Sequence, residues 1–453
     1  MIKKVDATTG NTAKLIFIYA IPLILSTILQ SLFDVADKAV LGNMAGPTAV
    51  ASIGATGTVS GLIINGAVGL STGTAIVLAR FIGAKKTKEI RTTIDTSLIT
   101  AFVFGLIVAL AGFFLAPFFL RVTDCPAECY DGALLYMRLL LAAAPATLLY
   151  NYGSAILRSF GDTQRPLIYV TVAGVLNVVM NVILCLVLPQ KVLAVALATI
   201  LSKIVSAALV LRRLCRAEDV ERVQLSKMHF DWEAFKRIFR FGIPASISAL
   251  VVPLGNLQII TAINSYGAQA MAGQSAAVSI ENFVYAVVNG FSSAALTFIG
   301  QNVGANKVDR VRKSFRYCLL FNFFIAGSLG ALLYLSGKFW IGLVIGKTST
   351  AAIGFGMSRL RHVALFVFLH AIGTILTSTL KAFGYPMLTS ITNIVFNLGF
   401  RVFWMQFIYP LNPVYSTIML CFPVSWALNL LFYTVFTVII YRRYVKKGIC
   451  KKI

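Results

Sequence analysis

Uninterrupted apolar runs, such as Leu98 to Leu120 and Val363 to Leu380, constrain this chain more than any other feature. Runs of about 20 apolar residues are long enough to cross the hydrocarbon core of a bilayer as a helix. The fraction of charged residues is 12%, about half of the roughly 25% that a soluble domain carries, which is too few to cover a globular surface. A soluble globule, a disulfide-knit secreted fold and a disordered chain are thereby excluded. An all-α polytopic membrane protein is expected, with twelve spans near residues 15–41, 50–79, 94–119, 132–157, 166–189, 192–211, 241–263, 272–299, 317–337, 354–380, 387–410 and 416–441.

The net charge of +24 is explained by where the cations fall. One set of alternate loops, together with the two tails, carries about thirty of the forty Lys and Arg residues, and cation-rich loops stay cytoplasmic. The other set holds Arg121, Lys191, Lys338, Lys347, Arg359 and Arg361. Both termini are therefore expected inside, in a plasma (cytoplasmic) membrane, with the basic charge meeting lipid headgroups and not nucleic acid. The apolar run after Lys14 is too long for a signal peptide and reads as a retained first span. Most cysteines lie in spans as small packing residues. Cys125 and Cys129 share an expected external loop and could oxidise together.

The sequence repeats itself with a period near 220 residues. Lys14-Leu15-Ile16-Phe17 leads to Ile21-Pro22, and Lys236-Arg237-Ile238-Phe239 leads to Ile243-Pro244. Phe81-Ile82-Gly83-Ala84-Lys85 matches Asn302-Val303-Gly304-Ala305-Asn306. Leu157-Arg158-Ser159-Phe160-Gly161 matches Leu380-Lys381-Ala382-Phe383-Gly384, and Asn177 answers Asn397. Six spans per half is an even number, so the halves enter the membrane in one orientation, as two pseudo-twofold-related bundles with a cavity where they face each other. The expected division is a lobe at 1–215, a basic cytoplasmic linker at 216–240 and a second lobe at 241–453. Trp232, Phe235 and Phe239 share one helical face, which predicts an interfacial helix within the linker.

Of sixteen acids, three fall clearly inside spans: Asp34 and Asp37 in the first and Glu281 in the eighth. A carboxylate there needs a partner, water or a proton. Asp34 and Asp37 are spaced i,i+3 on one helical face, which suits a carboxyl that gains and loses a proton. Lys38 points about 100° away and need not join them. Pro22, in the same span, removes a backbone bond and offers a bending point. Asn177 and Asn181 lie i,i+4 on the fifth span, where their amides would suit Asp37 or simply join helices. Their second-half counterparts are Asn397 and Arg401. Scarcity of acids suggests that Arg401 pairs with Glu281. His370 on the tenth span reads as a core histidine first and a titrating group second. No nucleotide loop, Ser/His pair or metal-ligand spacing suggests an enzyme, and no cofactor is expected. Asp34-Val35-Ala36-Asp37 has only a superficial likeness to an Asp-rich diphosphate motif.

Taken together, Ile21-Pro22, Leu32-Phe33-Asp34-Val35-Ala36-Asp37 with Leu41-Gly42, Gly69-Leu70-Ser71-Thr72-Gly73, Gly83-Ala84-Lys85, Leu157-Arg158-Ser159-Phe160-Gly161-Asp162-Thr163 with Pro166, and Ala194-Val195-Ala196-Leu197-Ala198-Thr199 resemble the multidrug and toxic compound extrusion (MATE) family of secondary transporters. The resemblance runs from Lys14 to about Tyr441. It implies a V-shaped, twelve-helix antiporter with a central cavity, exporting small organic, amphiphilic and cationic compounds in exchange for H⁺ or Na⁺. A monomer in contact with lipid alone is expected. By the same resemblance Asp37 falls on the first-helix carboxylate, Asn177 on the fifth-helix asparagine, Thr199 on the sixth-helix hydroxyl and Pro22 on the bending proline. Two departures stand out. Asn181 occupies a place where many proton-coupled members have a second aspartate, and the seventh span, Ile243 to Ile263, has no carboxylate. These departures favour proton coupling at Asp37, with sodium at the same lobe as the other option. A lipid-linked precursor flippase remains an alternative through Arg138, Lys203 and Arg401, and a diphosphate-handling membrane enzyme is a third reading.

Overall fold

A computed structural model describes residues 4–44, 46–123, 125–346 and 349–447. The side chains of Asp34 and Lys38, those of 46–50, and Lys347 lie outside the described residues. Among the described residues all regular structure is helical: α1 (Thr12–Met44), α2 (Gly46–Gly69), α3 (Ser71–Gly83), α4 (Thr87–Val122), α5 (Ala127–Ala142), α6 (Ala144–Ser159), α7 (Gln164–Val187), α8 (Lys191–Cys215), α9 (Trp232–Asn264), α10 (Ala268–Gly304), α11 (Val308–Ile345), α12 (Thr350–Arg359), α13 (Val367–Ala382), α14 (Pro386–Asn393), α15 (Phe400–Phe403) and α16 (Tyr415–Lys447). Helices satisfy their own backbone groups, which a bilayer interior demands. Among the described residues ten helices are long and apolar enough to span, and the number is twelve when each of the bent pairs α5–α6 (42°) and α12–α13 (43°, with the π turn between them) is one span.

Packing follows membrane logic. Along α4 most buried positions are small or short, including Thr93, Ser97, Ala101, Gly105, Gly112 and Ala116, with Ile90, Ile94, Leu98 and Leu120 the larger ones. The exposed ones are large and apolar: Leu110 is 62%, Phe114 73% and Phe118 60% accessible. Lipid is as apolar as leucine, so close approach of backbones holds the helices together more than the burial of large side chains does. A methyl on Gly105 would sit 2.4 Å from Pro145 Cα, and one on Gly330 2.1 Å from the Ala364 carbonyl oxygen.

The chain forms two compact units. One is Leu25–Ser246 with Lys4, the other Val5–Ile24 with Ile247–Ile453. The division therefore falls inside α1 and α9, just beyond Pro22 and Pro244 in the respective repeats. Backbone geometry repeats as well. Lys85 and Asn306 both have φ of 56°, while Gly161 has 81° and Gly384 84°. Each follows a helix end closed by the same two bonds, for example Lys86 N to Phe81 O (3.0 Å) and Lys307 N to Asn302 O (2.9 Å). This is the left-handed helix stop in which the last carbonyls are satisfied by the residues just beyond.

The basic linker is well tied to the first unit. Glu221 is buried between Lys4 and Arg213, each 2.8 Å away. Asp231 accepts a bond from Ala234 N at 2.6 Å and so caps α9. No separate interfacial helix forms, contrary to the sequence expectation. Trp232 opens α9, which runs unbroken to Asn264, and Trp232, Phe235 and Phe239 stack along its first turns. Phe239 meets Phe104 and Arg237 lies over Phe81, so this aromatic face is held against α3 and α4. Cys125 and Cys129 are both free thiols. Burial, and then the neighbouring Cys129, push the Cys125 thiol above its ordinary range.

Candidate functional site

In the first unit, a close crossing of α1 and α7 sets the geometry. Gly174 faces Phe33 so tightly that a methyl there would lie 2.1 Å from the ring. One turn further along α1, Asp37 meets Asn177 and Asn181, which lie one and two turns beyond Gly174 on α7. Asn181 Nδ2 donates to Asp37 Oδ1 at 2.7 Å. The Asn177 amide end lies 2.6 and 2.7 Å from the two carboxylate oxygens, and it donates to both once its nitrogen is assigned to the side facing α1, as an ionised Asp37 requires. Both asparagines are buried, Asn181 completely, whereas Asp37 is partly accessible. Spacing of i,i+4 on α7 is what lets two amides converge on one carboxylate. Asn181 Oδ1 is buried without a hydrogen-bond partner, leaving an oxygen beside the carboxylate.

Thr199 lies on α8, where its hydroxyl donates to Val195 O at 2.9 Å. Pro22 sits within α1, which continues through it as helix. Arg138 donates to Phe113 O at 3.2 Å and rests on the Phe113 ring.

In the second unit, Glu281 on α10 pairs with Arg359, not with Arg401. The Arg359 Nε lies 3.0 and 3.1 Å from the two carboxylate oxygens and Nη2 lies 2.8 Å from one of them. The sequence puts Arg359 among the external-loop cations, but it closes α12 inside the unit and is 5% exposed. Arg401, on α15, is 2% exposed. It donates to Asn256 Oδ1 and, at the long distances of 3.4 and 3.5 Å, to Asn397 Oδ1 and Ser425 Oγ. Both guanidinium groups approach the Phe422 ring, at 5.1 and 4.8 Å from its centre. Asn397 also donates to Asn393 Oδ1 at 2.8 Å. His370 sits between the Tyr285 and Trp426 rings. Each arginine adjoins irregular helix: a π turn at Leu360–Ala364 follows Arg359, and π segments at Ile394–Gly399 and Trp404–Ile408 flank α15.

The sequence does not single out Gly174, and it marks neither the contact of Phe33 nor the carboxylate partner of Arg359. A glycine inside the fifth span is the one local signal that could have marked the crossing.

An all-helical chain with twelve spans in two repeated halves defines a multi-pass membrane transporter, and comparison with known proteins gives its family. The MatE family model matches residues 22–183 and again 244–405, and the chain belongs to that family. It is a transporter and not an enzyme. Among relatives from Bacillus subtilis (strain 168), the probable multidrug resistance protein YoeA is 25% identical over 392 residues, covering 85% of this chain and 84% of that one. The probable multidrug resistance protein YpnP is 24% identical over 415 residues, covering 92% and 91%. A solved structure of a MOP superfamily transporter from Pyrococcus furiosus Vc1 (DSM3638) shares the fold, with a TM-score of 0.90, 22% identity and coverage of 98% of this chain and 99% of that one.

Proposed function

We propose that this protein is an antiporter that exports small amphiphilic organic cations in exchange for protons, with Asp37 as the coupling carboxylate. The observation that carries the reading is the pair of amides converging on Asp37. An ionised carboxylate can only accept hydrogen bonds, so it needs amide nitrogens facing it. A protonated carboxyl also donates, and for that it needs the amide of Asn177 turned to present its oxygen. Proton uptake therefore exchanges the partners of α1 on α7 while removing the negative charge that would hold a cationic compound. Release of the compound to the outside and of the proton to the cytoplasm follows by alternating access. We place the protein in the cytoplasmic membrane as a monomer, with both termini and the cation-rich loops on the cytoplasmic side.

One observation favours sodium as a second reading: the unpartnered Asn181 Oδ1 adds an oxygen beside the carboxylate, and hard cations take oxygen ligands. Proteoliposomes loaded with ethidium separate the two. A pH gradient without sodium should drive ethidium movement in the wild type and fail to do so in Asp37→Asn, reconstituted at equal density. Undiminished movement in Asp37→Asn overturns the reading. Movement that requires a sodium gradient selects the second form.

A further inference from the structure

Among the described residues of the second unit, Arg401 is a buried cation without a carboxylate. From residue 247 to the end of the chain the sequence contains two acids, Glu281 and Asp309. Asp309 lies in the first turn of α11, and Asp6, in the segment that joins this unit, accepts bonds from Thr8 and Thr9. Glu281 presents both oxygens to Arg359. Arg401 is as deeply buried, yet its three acceptors are two amides and a hydroxyl, all neutral, and two of those bonds are long. Its Nε has no hydrogen-bond partner. A guanidinium is a fork matched to carboxylate, sulfonate or phosphate, and one held inside a membrane protein without an anion is incomplete.

From this geometry we infer that Arg401 receives the anionic group of an amphiphilic organic compound that the transporter carries, a substrate class beyond organic cations. The inference rests on the chain being a transporter but not on how Asp37 is coupled. The Phe422 ring beneath both guanidinium groups offers a flat apolar surface for the compound's body. Arg401 is 2% exposed, so the anion must enter as the span repacks. The π segments on either side of α15 supply the means. Such turns have poorer backbone bonding than α-helix and concentrate at functional positions. A change from π to α in one of them re-aims Arg401 without unfolding the span.

Binding of carboxyfluorescein, an organic polyanion, to purified protein in detergent tests this by fluorescence anisotropy. The wild type should bind it and inorganic phosphate should compete. Arg401→Gln should weaken binding by about tenfold or more, as loss of a charge-assisted fork requires, and Arg401→Lys should retain part of it. Ethidium binding should be unchanged in Arg401→Gln, which shows that the variant is folded. Equal carboxyfluorescein affinity in wild type and Arg401→Gln overturns the inference, as does absence of binding in the wild type. Repetition in phosphatidylcholine and phosphatidylglycerol nanodiscs identifies the source of the anion. Binding that persists in both supports a transported compound, and binding abolished by phosphatidylglycerol assigns Arg401 to a lipid headgroup and overturns it. Asp37→Asn should leave carboxyfluorescein binding intact, so failure here and failure of the coupling reading are told apart.

Discussion

Glu281 presents both carboxylate oxygens to Arg359, through three bonds of 2.8 to 3.1 Å, in a part of the second unit from which solvent is excluded. Removing one partner of such a pair leaves a bare buried charge and costs about 3–5 kcal/mol, whereas removing both together costs far less. Glu281→Gln and Arg359→Gln should each lower the thermal midpoint in detergent strongly, and the double variant should recover much of the loss. Additive losses across the cycle would mean that the pair contributes nothing as a pair.

Close approach of α1 to α7 at Gly174 is what brings Asp37 to its amides. A methyl at this position has no room, 2.1 Å from the Phe33 ring, and overpacking of that kind costs about 1–3 kcal/mol. Gly174→Ala should therefore impair gradient-driven transport more than it lowers expression. Phe33→Ala in the same chain should restore transport in part, because the space returns. A double variant as inactive as Gly174→Ala would show that the crossing does not position Asp37.

The four left-handed helix stops differ in how well their residues suit them. Gly161 and Gly384 pay no steric penalty there, whereas Lys85 and Asn306 are held at φ of 56° with a Cβ in place. Gly161→Ala is expected to destabilise by about 1 kcal/mol, and Lys85→Gly to stabilise by up to a similar amount. Chemical denaturation of the purified variants measures both, and equal shifts of the same sign would contradict the assignment.

At the N-terminal end of the second unit, Asp6 gives a pH signature. Partial burial acts to raise its pKa, but bonds from Thr8 N, the Thr8 hydroxyl and the Thr9 hydroxyl, with the charge of Lys307, bring it below its ordinary 3.8. A carboxyl depressed by folding stabilises above its unfolded pKa and loses that contribution as pH falls through the folded value. The difference in thermal midpoint between wild type and Asp6→Asn should be present at pH 7 and close as the pH drops below 3.8. A difference that stays constant into stronger acid would remove Asp6 from the account.

Spans and repeat were legible in the residues because both rest on patterns the bilayer enforces: apolar length, loop cations, and the Ile-Pro and Phe-Gly landmarks that recur across the halves. Asp37, Asn177 and Asn181 could be named in advance because polar groups are conspicuous within apolar helices. The partner of Glu281 could not. Arg359 immediately precedes a π segment, and a cation near an apparent span end reads as loop until the helix boundary is known. Nothing in composition or periodicity announces π turns, and they rotate every later side chain relative to an α register. The start of α9 carried a similar ambiguity, since Trp232 to Phe239 has the amphipathic pattern of a surface helix yet continues directly into the span.

The pattern on α4, with Gly105 and Gly112 inside and Phe114 and Phe118 outside, inverts the usual scale of mutational severity. In a water-soluble core, damage tracks the volume that a substitution removes. Here it should track the volume that a substitution adds, so a scan replacing small residues with leucine would outline the helix interfaces more sharply than an alanine scan. Natural variants should be most tolerant on the outward face of α4, where its side chains are largest.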